Sequence, residues 1–235
     1  ISYSVTGVQT CALPICNTRE LPHNAGEPPL YICVGVDITE QKRAEKVIRL
    51  QATRTRMLLE LNRMKDEPLQ DLFGYSLEAC LRMTESEYSF VGLISPDESV
   101  MTIHSWSKGT MKECAVSDKP MHYPIASAGV WGEAIRRRSP FILNDYRSAH
   151  PAKHGYPEGH VPITRYLGVP IFDGEQIVAI LAAANKPVDY DEGDVNALST
   201  LGNHLWELVH RREAEEALKQ SEERYRAFLD RKSVV

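Results

Sequence analysis

The chain has 235 residues, of which 43% are hydrophobic and 25% charged, and its formal net charge is −5. This balance is typical of a globular domain with flanking segments, and it excludes a broad basic surface for nucleic acid or for an anionic membrane. No apolar run approaches the roughly 20 residues of a membrane-spanning helix, so we expect no membrane contact in this chain.

Both ends of the chain resemble translated sequencing adapter. The similarity covers residues 5–15 near the N-terminus and residues 230–235 at the C-terminus. A signal peptide is the alternative for the first stretch, but no basic segment precedes it and Pro14 interrupts its apolar run. We therefore leave residues 1–16 and 230–235 out of the fold prediction.

The first predicted elements are a strand over residues 30–36 and a long helix over residues 40–65, which we call the incoming helix. Asp37 or Thr39 can cap this helix by accepting hydrogen bonds from its free N–H groups. Steps of three and four residues relate its apolar positions, Val47, Leu50, Met57, Leu61 and Met64. Arg54 is the one polar residue in this series. The spacing is typical of a seam between two helices, so we expect a dimer helix rather than a core helix.

The central part of the chain is predicted to alternate helices and strands. A helix begins near Pro68 and ends near Met83, and a turn at Asp173 and Gly174 joins the last two strands. The loop over residues 144–162 is long and irregular, and such loops are often functional. A second long helix, the outgoing helix, follows the last strand. The outgoing helix is predicted to start at Asp191. A short helix is predicted over residues 129–138. The predicted strands cover residues 88–94, 100–106, 121–125, 141–143, 166–172 and 176–185.

Two short segments near the ends resemble parts of PAS sensor domains. Residues 34–40 (VGVDITE) are similar to the last strand and exit helix of such a domain, and residues 216–228 (EALKQSEERYRAF) are similar to the helical start of another. The resemblance implies that residues 17–39 end one PAS domain, that residues 40–65 are a signalling helix, and that residues 211–229 link to the next PAS domain. Such rows of modules occur in bacterial sensor histidine kinases.

The interior of the chain resembles a GAF domain. Residues 127–134 (SAGVWGEA) and 140–145 (PFILND) are similar to the short helix of the family and its following strand, and residues 166–171 (YLGVPI) are similar to a late strand. The resemblance implies a GAF domain over residues 66–210. Its fold class is α+β, with a central antiparallel sheet, helices packed on one side, and long coiled-coil-like incoming and outgoing helices.

A second pattern near the end of the domain supports the same resemblance. Asn185, Lys186, Tyr190 and Asp194 are similar to an Asn-Lys, Phe, Asp-Glu pattern of cyclic-nucleotide-binding members, with Tyr in place of Phe and Val195 in place of Glu. Family membership by itself does not identify a ligand.

GAF domains hold small ligands between the sheet and a lid of loops and short helices. The resemblance implies a lid over the 144–162 loop and a pocket that involves Trp106, Trp131, Asp145, Tyr146 and Tyr166. Aromatic walls with one carboxylate suit a flat ligand that is partly cationic or donates hydrogen bonds. In the alternative interpretation, the aromatic residues fill the core and Asp145 caps the following turn. The cofactor, if any, is unknown from the sequence.

Histidines and arginines near the lid carry weaker signals. His150, His154 and His160 share the loop, but no further ligand stands at a fixed offset from them, so we expect a solvated loop rather than a metal site. Residues 136–138 are three arginines at the end of the short helix, where cations complement the helix dipole. Phosphate binding is the second interpretation of these arginines.

The cysteines lack the spacing of a disulfide framework or a metal site, which indicates a reduced, cytoplasmic compartment. Some GAF proteins reduce free methionine sulfoxide with paired cysteines, and that chemistry needs a thiolate and a resolving thiol within reach. Cys80 is predicted on a buried helix and Cys114 on a loop, so we do not expect this activity. Cys114 is followed by Ala115 rather than by histidine, which argues against bilin attachment.

We therefore expect a sensory and relay module of a signalling protein whose output is a histidine kinase. A ligand or an upstream PAS domain would bias the packing of the incoming and outgoing helices, and a homodimer through both helices would carry the change to the adjacent PAS and kinase domains. No phospho-acceptor or ATP-lid motif occurs, so we predict no catalytic residue. A ligand-free spacer that only dimerises is the alternative.

Overall fold

The computed structural model describes residues 15–20, 31–107, 109, 122–153 and 160–233. The chain divides into two compact units, residues 1–52 and residues 53–235, which are described separately below. Within the described residues, no helix combines the length and the apolar character needed to cross a membrane.

The first unit contains a β-hairpin and the beginning of a long helix. Strand β1 (Ile15–Glu20) pairs antiparallel with β2 (Tyr31–Val36), and the sequence did not predict β1 because part of it lies in the segment excluded as adapter. Helix α1 (Thr39–Arg63) follows. Its first N–H group donates to Oδ1 of Asp37 at 2.8 Å, and the hydrogen bonds from Thr39 lower the pKa of the Asp37 carboxyl. Asp37 is therefore the cap.

The second unit is a six-stranded antiparallel sheet with its long helices on one side, as the α+β prediction requires. The strands lie in the order β5-β4-β3-β8-β7-β6 across the sheet. In chain order the elements are α2 (Leu69–Thr84), β3 (Tyr88–Ile94), β4 (Val100–Trp106), β5 (His122–Pro124), a 3-10 turn (Val130–Gly132), α3 (Glu133–Arg136), β6 (Phe141–Leu143), β7 (Tyr166–Asp173), β8 (Gln176–Ala184) and α4 (Glu192–Ser233).

Both faces of this sheet are covered, which explains why β8 is apolar along almost its whole length. Helices α2 and α4 and residues 53–63 of α1 pack on one face, called the helix face here. The 3-10 turn, α3 and parts of the 144–162 loop pack on the opposite face, called the lid face here. The largest fully buried side chains of the helix face include Met57, Leu61, Leu72, Leu77, Met83, Leu167, Leu181 and Leu198.

The second half of α1 corrects one prediction. Met57 and Leu61 are buried in the core of the helix face, so the expectation that they form a seam with a partner helix is wrong. A helix that packs on α2 and α4 needs the same apolar spacing as a coiled coil, and the sequence could not distinguish the two. In the first unit, Val47 and Ile48 are exposed.

Candidate functional site

Two of the five predicted site residues meet directly on the lid face. Tyr166 begins β7, and Trp131 lies in the 3-10 turn, with ring centroids 4.9 Å apart and ring planes at 87°. Phe90 of β3 lies edge-on to Trp131 at 5.8 Å, and the His160 ring lies 5.9 Å away on the same indole. The edge-to-face arrangements of Phe90 and Tyr166 with Trp131 are favourable for aromatic rings, whereas the His160 ring is tilted by 46°. These four residues are called the aromatic cluster below.

The hydroxyl of Tyr166 is the chemically unusual atom of the aromatic cluster. The side chain is fully buried, and Oη has no hydrogen-bond partner among the described residues. Its ring lies over Gly168, where a Cβ atom would stand 2.5 Å from Oη. Burial raises the pKa of the phenol, so the O–H remains available as a donor. A buried hydroxyl without a partner costs about 1–3 kcal/mol, which an acceptor on a ligand would recover.

The other three predicted site residues stand apart from these ring contacts. Trp106 pairs opposite Phe90 in the sheet register, and Tyr146 packs in the same lid-face core. Asp145 is exposed, and its Oδ1 accepts a hydrogen bond from the N–H of Arg147 at 2.9 Å. Asp145 thus holds the turn, as the alternative interpretation has it, and a role for its carboxylate in ligand binding stays a prediction.

A buried group of charges lies on the helix face, at the start of α4. Asp194 has no exposed side-chain surface, and its Oδ1 accepts a hydrogen bond from Nη2 of Arg54 at 3.1 Å. Its Oδ2 accepts hydrogen bonds from the ammonium of Lys186 and from the N–H of Asp191. The N–H of Asp194 donates in return to Oδ1 of Asp191, which makes the two aspartates a reciprocal cap for the helix. Arg54, Lys186 and Asp194 are called the ion cluster below.

The ion cluster joins three helices. Arg54 lies on α1 with its side chain only 12% exposed, and its Nε also donates to the carbonyl of Met83 at the end of α2 at 3.2 Å. Its Nη2 contacts Asp194 in the first turn of α4. Because a buried carboxylate must keep its cations, the middle of α1 is held to the start of the outgoing helix.

Two asparagines of the quoted motifs connect the lid loop to the rest of the domain. Asn144 donates through Nδ2 to the carbonyl of Tyr190 at 3.0 Å and accepts from its N–H at 2.7 Å. Asn185 takes a positive φ of 62° and accepts through Oδ1 from the N–H of Thr164 at 2.8 Å. Its Nδ2 donates to the carbonyl of Pro162 at 2.9 Å. These motif residues therefore act as braces of the fold.

The described part of the chain offers little for cysteine or metal chemistry. Cys80 is buried, and burial raises the pKa of its thiol. Among the described residues, no group of three or more His, Cys, Asp or Glu side chains could hold a metal ion. Cys114 and His154, which the sequence analysis considered, lie outside the described residues.

Phe90, His160 and Arg54 were not predicted from the sequence as members of these two sites. The sequence indicates that Phe90 is an apolar residue of β3, but the alternation of side chains along a strand does not show which face of the sheet binds a ligand. The signal for Arg54 was its position as the one polar residue in an apolar series, since a cation there needs a buried partner.

Comparisons with known proteins agree with this architecture. A family model described as GAF domain matches residues 66–210. The chain is 41% identical over 186 residues to the methyl sulfide methyltransferase-associated sensor of Methanosarcina acetivorans. That alignment covers 79% of the chain and 19% of the relative, so the chain spans about a fifth of the relative's length.

Solved structures with low sequence identity share the fold. The GAF domain of a phosphoenolpyruvate-protein phosphotransferase from Coxiella burnetii has a TM-score of 0.57 at 17% identity, covering 71% of this chain and 98% of that one. The free methionine-R-sulfoxide reductase from Neisseria meningitidis, solved with its substrate, has a TM-score of 0.54 at 14% identity, covering 68% of this chain and 91% of that one. Identities this low support the fold and no particular activity.

The family model matches more than half of the chain, and it falls on the six-stranded sheet with its flanking helices and lid. The GAF resemblance of the sequence is thereby confirmed, and the chain belongs to the GAF domain family.

Proposed function

We propose that this GAF domain is a cytoplasmic sensory and relay module of a multidomain signalling protein whose output is a histidine kinase. In this proposal it lies between PAS domains and forms a homodimer through α4 and through the first half of α1, where Val47 and Ile48 are exposed. The observation that carries the proposal is the ion cluster, which ties α1 to the start of α4 through a buried carboxylate. A relative that is named a sensor, and of which this chain spans 19%, supports a modular parent.

The ion cluster gives the relay a physical basis. If α1 moved along or around its axis, Arg54 would lose Asp194 or would have to move the first turn of α4 with it. Because Asp194 would keep Lys186, losing the Arg54 contact costs about 2 kcal/mol, which is less than for a wholly unpaired buried charge but still favours joint movement of the two helices. A shift in α1 would then reach α4, which extends to Ser233.

The sensory part of the proposal rests on the aromatic cluster. A small flat ligand on the lid face would stack on Trp131 and accept a hydrogen bond from Tyr166. The braces at Asn144 and Asn185 connect the lid to Tyr190 and to the end of β8, close in sequence to the ion cluster. Ligand binding that shifts the lid would therefore bias the start of α4.

The alternative is a ligand-free spacer. It is favoured by one observation, that Trp131 and Tyr166 pack on each other within contact distance and so fill part of the space beneath the lid themselves. A spacer would still use the ion cluster to couple the two helices.

Cysteine cross-linking tests the homodimer. Leu218 and Tyr225 are 61% and 66% exposed on α4 and lie seven residues apart, which is the repeat of a two-helix seam. In a parallel two-fold dimer a seam residue faces its own copy, so Leu218→Cys should give a disulfide-linked dimer under mild oxidation.

The matched control is Glu216→Cys, also exposed on α4. It lies about 200° around the helix from position 218, so it should give no more linked dimer than the unmodified chain. Equal cross-linking at both positions, or none at either, would contradict a seam along this face.

A further inference from the structure

Tyr190, in the segment between β8 and α4, is in contact with three different parts of the domain. The residue is buried, with 3% of its surface exposed. In the chain it lies four residues after Lys186 and four residues before Asp194, between two members of the ion cluster. Its backbone, its ring and its hydroxyl each contact a different part.

The backbone of Tyr190 is bound to the first residue of the lid loop. Oδ1 of Asn144 accepts a hydrogen bond from the N–H of Tyr190 at 2.7 Å, and Nδ2 donates to its carbonyl at 3.0 Å. Among the described residues, the side chain of Asn144 has no hydrogen bond to a member of the ion cluster. A displacement of Asn144 therefore breaks two hydrogen bonds or moves Tyr190 with it.

The side chain of Tyr190 contacts the ion cluster and the end of α2. The ammonium of Lys186 lies 5.8 Å from the ring centre, within the range of a cation–π contact. The hydroxyl is hydrogen-bonded to Oγ of Ser86 at 2.7 Å, and Ser86 in turn to Oγ1 of Thr84 at 2.7 Å. Thr84, the last residue of α2, donates to the carbonyl of Cys80 at 2.8 Å. Because the Thr84 proton is used there, Ser86 donates to Thr84 and Tyr190 donates to Ser86.

Arg54 is bound to the same two places. Its Nε donates to the carbonyl of Met83 in the last turn of α2 at 3.2 Å, and its Nη2 donates to Oδ1 of Asp194 at 3.1 Å. Lys186 contacts the other oxygen of Asp194. Tyr190 is thus connected to Arg54 in two ways, through the end of α2 and through Lys186 with Asp194. Buried contacts of this kind are costly to leave without a partner, so both connections resist separation.

We propose that Tyr190 is a positioning residue of the relay, which couples the start of the lid loop to the contact of Arg54 with Asp194. This inference rests on the proposed relay function and names the residue by which a lid movement reaches α1 as well as α4. A movement that carried Asn144 away from the sheet would pull the Tyr190 backbone with it. The ring or the hydroxyl of Tyr190 would then lose its partner, and the position of Arg54 would change. Coupling between two sites is reciprocal, so a shift of α1 would also reach the lid.

A double-mutant cycle on the full chain tests the coupling. The variants are Asn144→Ala, Arg54→Met and their combination, and the quantity is the equilibrium constant of unfolding at one protein concentration. We expect the combined variant to raise this constant at least about fivefold less than the product of the two single effects, because each change weakens what the other removes. In the control cycle, Asn144→Ala with Arg56→Met, the product should hold within about twofold. A product that holds within twofold in both cycles would overturn the proposal.

The NMR signal of the Arg54 Nε–H group separates coupling from a general loss of stability. Asn144→Ala should shift this signal, and Tyr190→Phe should shift it as well, because the chain of hydroxyl groups to the end of α2 is then broken. Ser148→Ala is the matched control, since it removes a hydrogen bond within the lid loop, from Oγ to the carbonyl of Asp145 at 2.6 Å, and should leave the signal in place. An unshifted signal in Asn144→Ala, or an equal shift in Ser148→Ala, would contradict the role of Tyr190. Neither measurement needs a ligand or a dimer, so failure here removes the Tyr190 coupling and not the proposed sensing or dimerisation.

Discussion

At the scale of single residues, one arginine of the incoming helix has a role that its neighbours do not share. Arg54 is nearly buried and contacts Asp194, whereas Arg56, two positions along the same helix, is 66% exposed and contacts Glu60 at 3.7 Å. Loss of a buried ion pair costs more free energy than loss of an exposed one. A group of an exposed pair is hydrated by water when its partner is removed, whereas a buried carboxylate stays without water or a partner.

Replacement of Arg54 by methionine should lower the free energy of unfolding by about 2 kcal/mol, since Asp194 loses one of two cations but keeps Lys186. The measurement is urea denaturation of the full chain. Arg56→Met is the control and should change the same quantity by less than about 0.5 kcal/mol. An equal change in the free energy of unfolding for both variants would contradict a stabilising role of the Arg54–Asp194 contact.

A second residue-scale prediction concerns two buried tyrosines. Tyr166 has a hydroxyl without a partner, whereas the hydroxyl of Tyr190 is hydrogen-bonded to Oγ of Ser86 at 2.7 Å. Tyr166→Phe should raise the free energy of unfolding by about 1 kcal/mol in the ligand-free protein, and Tyr190→Phe should lower it by about 1 kcal/mol. A loss of stability in Tyr166→Phe would mean that its hydroxyl is already satisfied.

Residue roles were only partly readable from the sequence. Asn144, Asn185 and Asp194 belonged to motifs that carried the family resemblance, but the motifs did not predict the hydrogen bonds that these residues make in the fold. The contact of Asp194 with Arg54 could not be predicted from the sequence, because Arg54 lies 140 positions away in the chain and only the fold brings the two residues together.

At the scale of secondary-structure elements, the outgoing helix approaches the sheet closely at one point. A Cβ atom on Gly202 of α4 would lie 2.2 Å from Cδ1 and 2.8 Å from Cγ1 of Ile171 in β7. Ile171 is itself buried, so it has little room to move. The glycine therefore sets the distance between α4 and the sheet.

Gly202→Ala should lower the free energy of unfolding by about 2 kcal/mol, because the added methyl group overpacks this contact. Gly74 is the matched control, since it lies inside α2 and its added Cβ would meet no atom within 4 Å. Gly74→Ala should raise the same quantity by about 0.5–1 kcal/mol through better helix propensity. Thermal and urea denaturation of both variants give the comparison, and a Gly202→Ala protein as stable as Gly74→Ala would contradict the close contact.

Elements were predicted well where the signal is local. The bounds of β3, β4 and β6 agree with those predicted from the sequence, because runs rich in apolar residues that end at turn residues define them. The second half of α1 was mispredicted because the choice between a partner helix and the helix face of the same domain is made by tertiary packing. Local spacing is the same in both cases.

At the scale of the whole molecule, the order of several weak motifs identified the GAF fold, although no single motif would have done so. The same resemblance predicted a pocket with aromatic walls; Trp131 and Tyr166 are in contact with each other, and their binding of a ligand stays a prediction. The carboxylate of Asp145 instead accepts a hydrogen bond within a turn, because a short polar side chain after a strand can bind a nearby free N–H group of the backbone.

We propose that this domain senses a small molecule on its lid face and relays the event as a dimer. Native mass spectrometry of the full chain, as purified and again after unfolding and refolding, tests both parts together. We expect a dimer that carries the mass of a small molecule before unfolding and lacks that mass after refolding. A dimer without added mass in both samples would contradict the sensory part in favour of a spacer, and a monomer would contradict the relay.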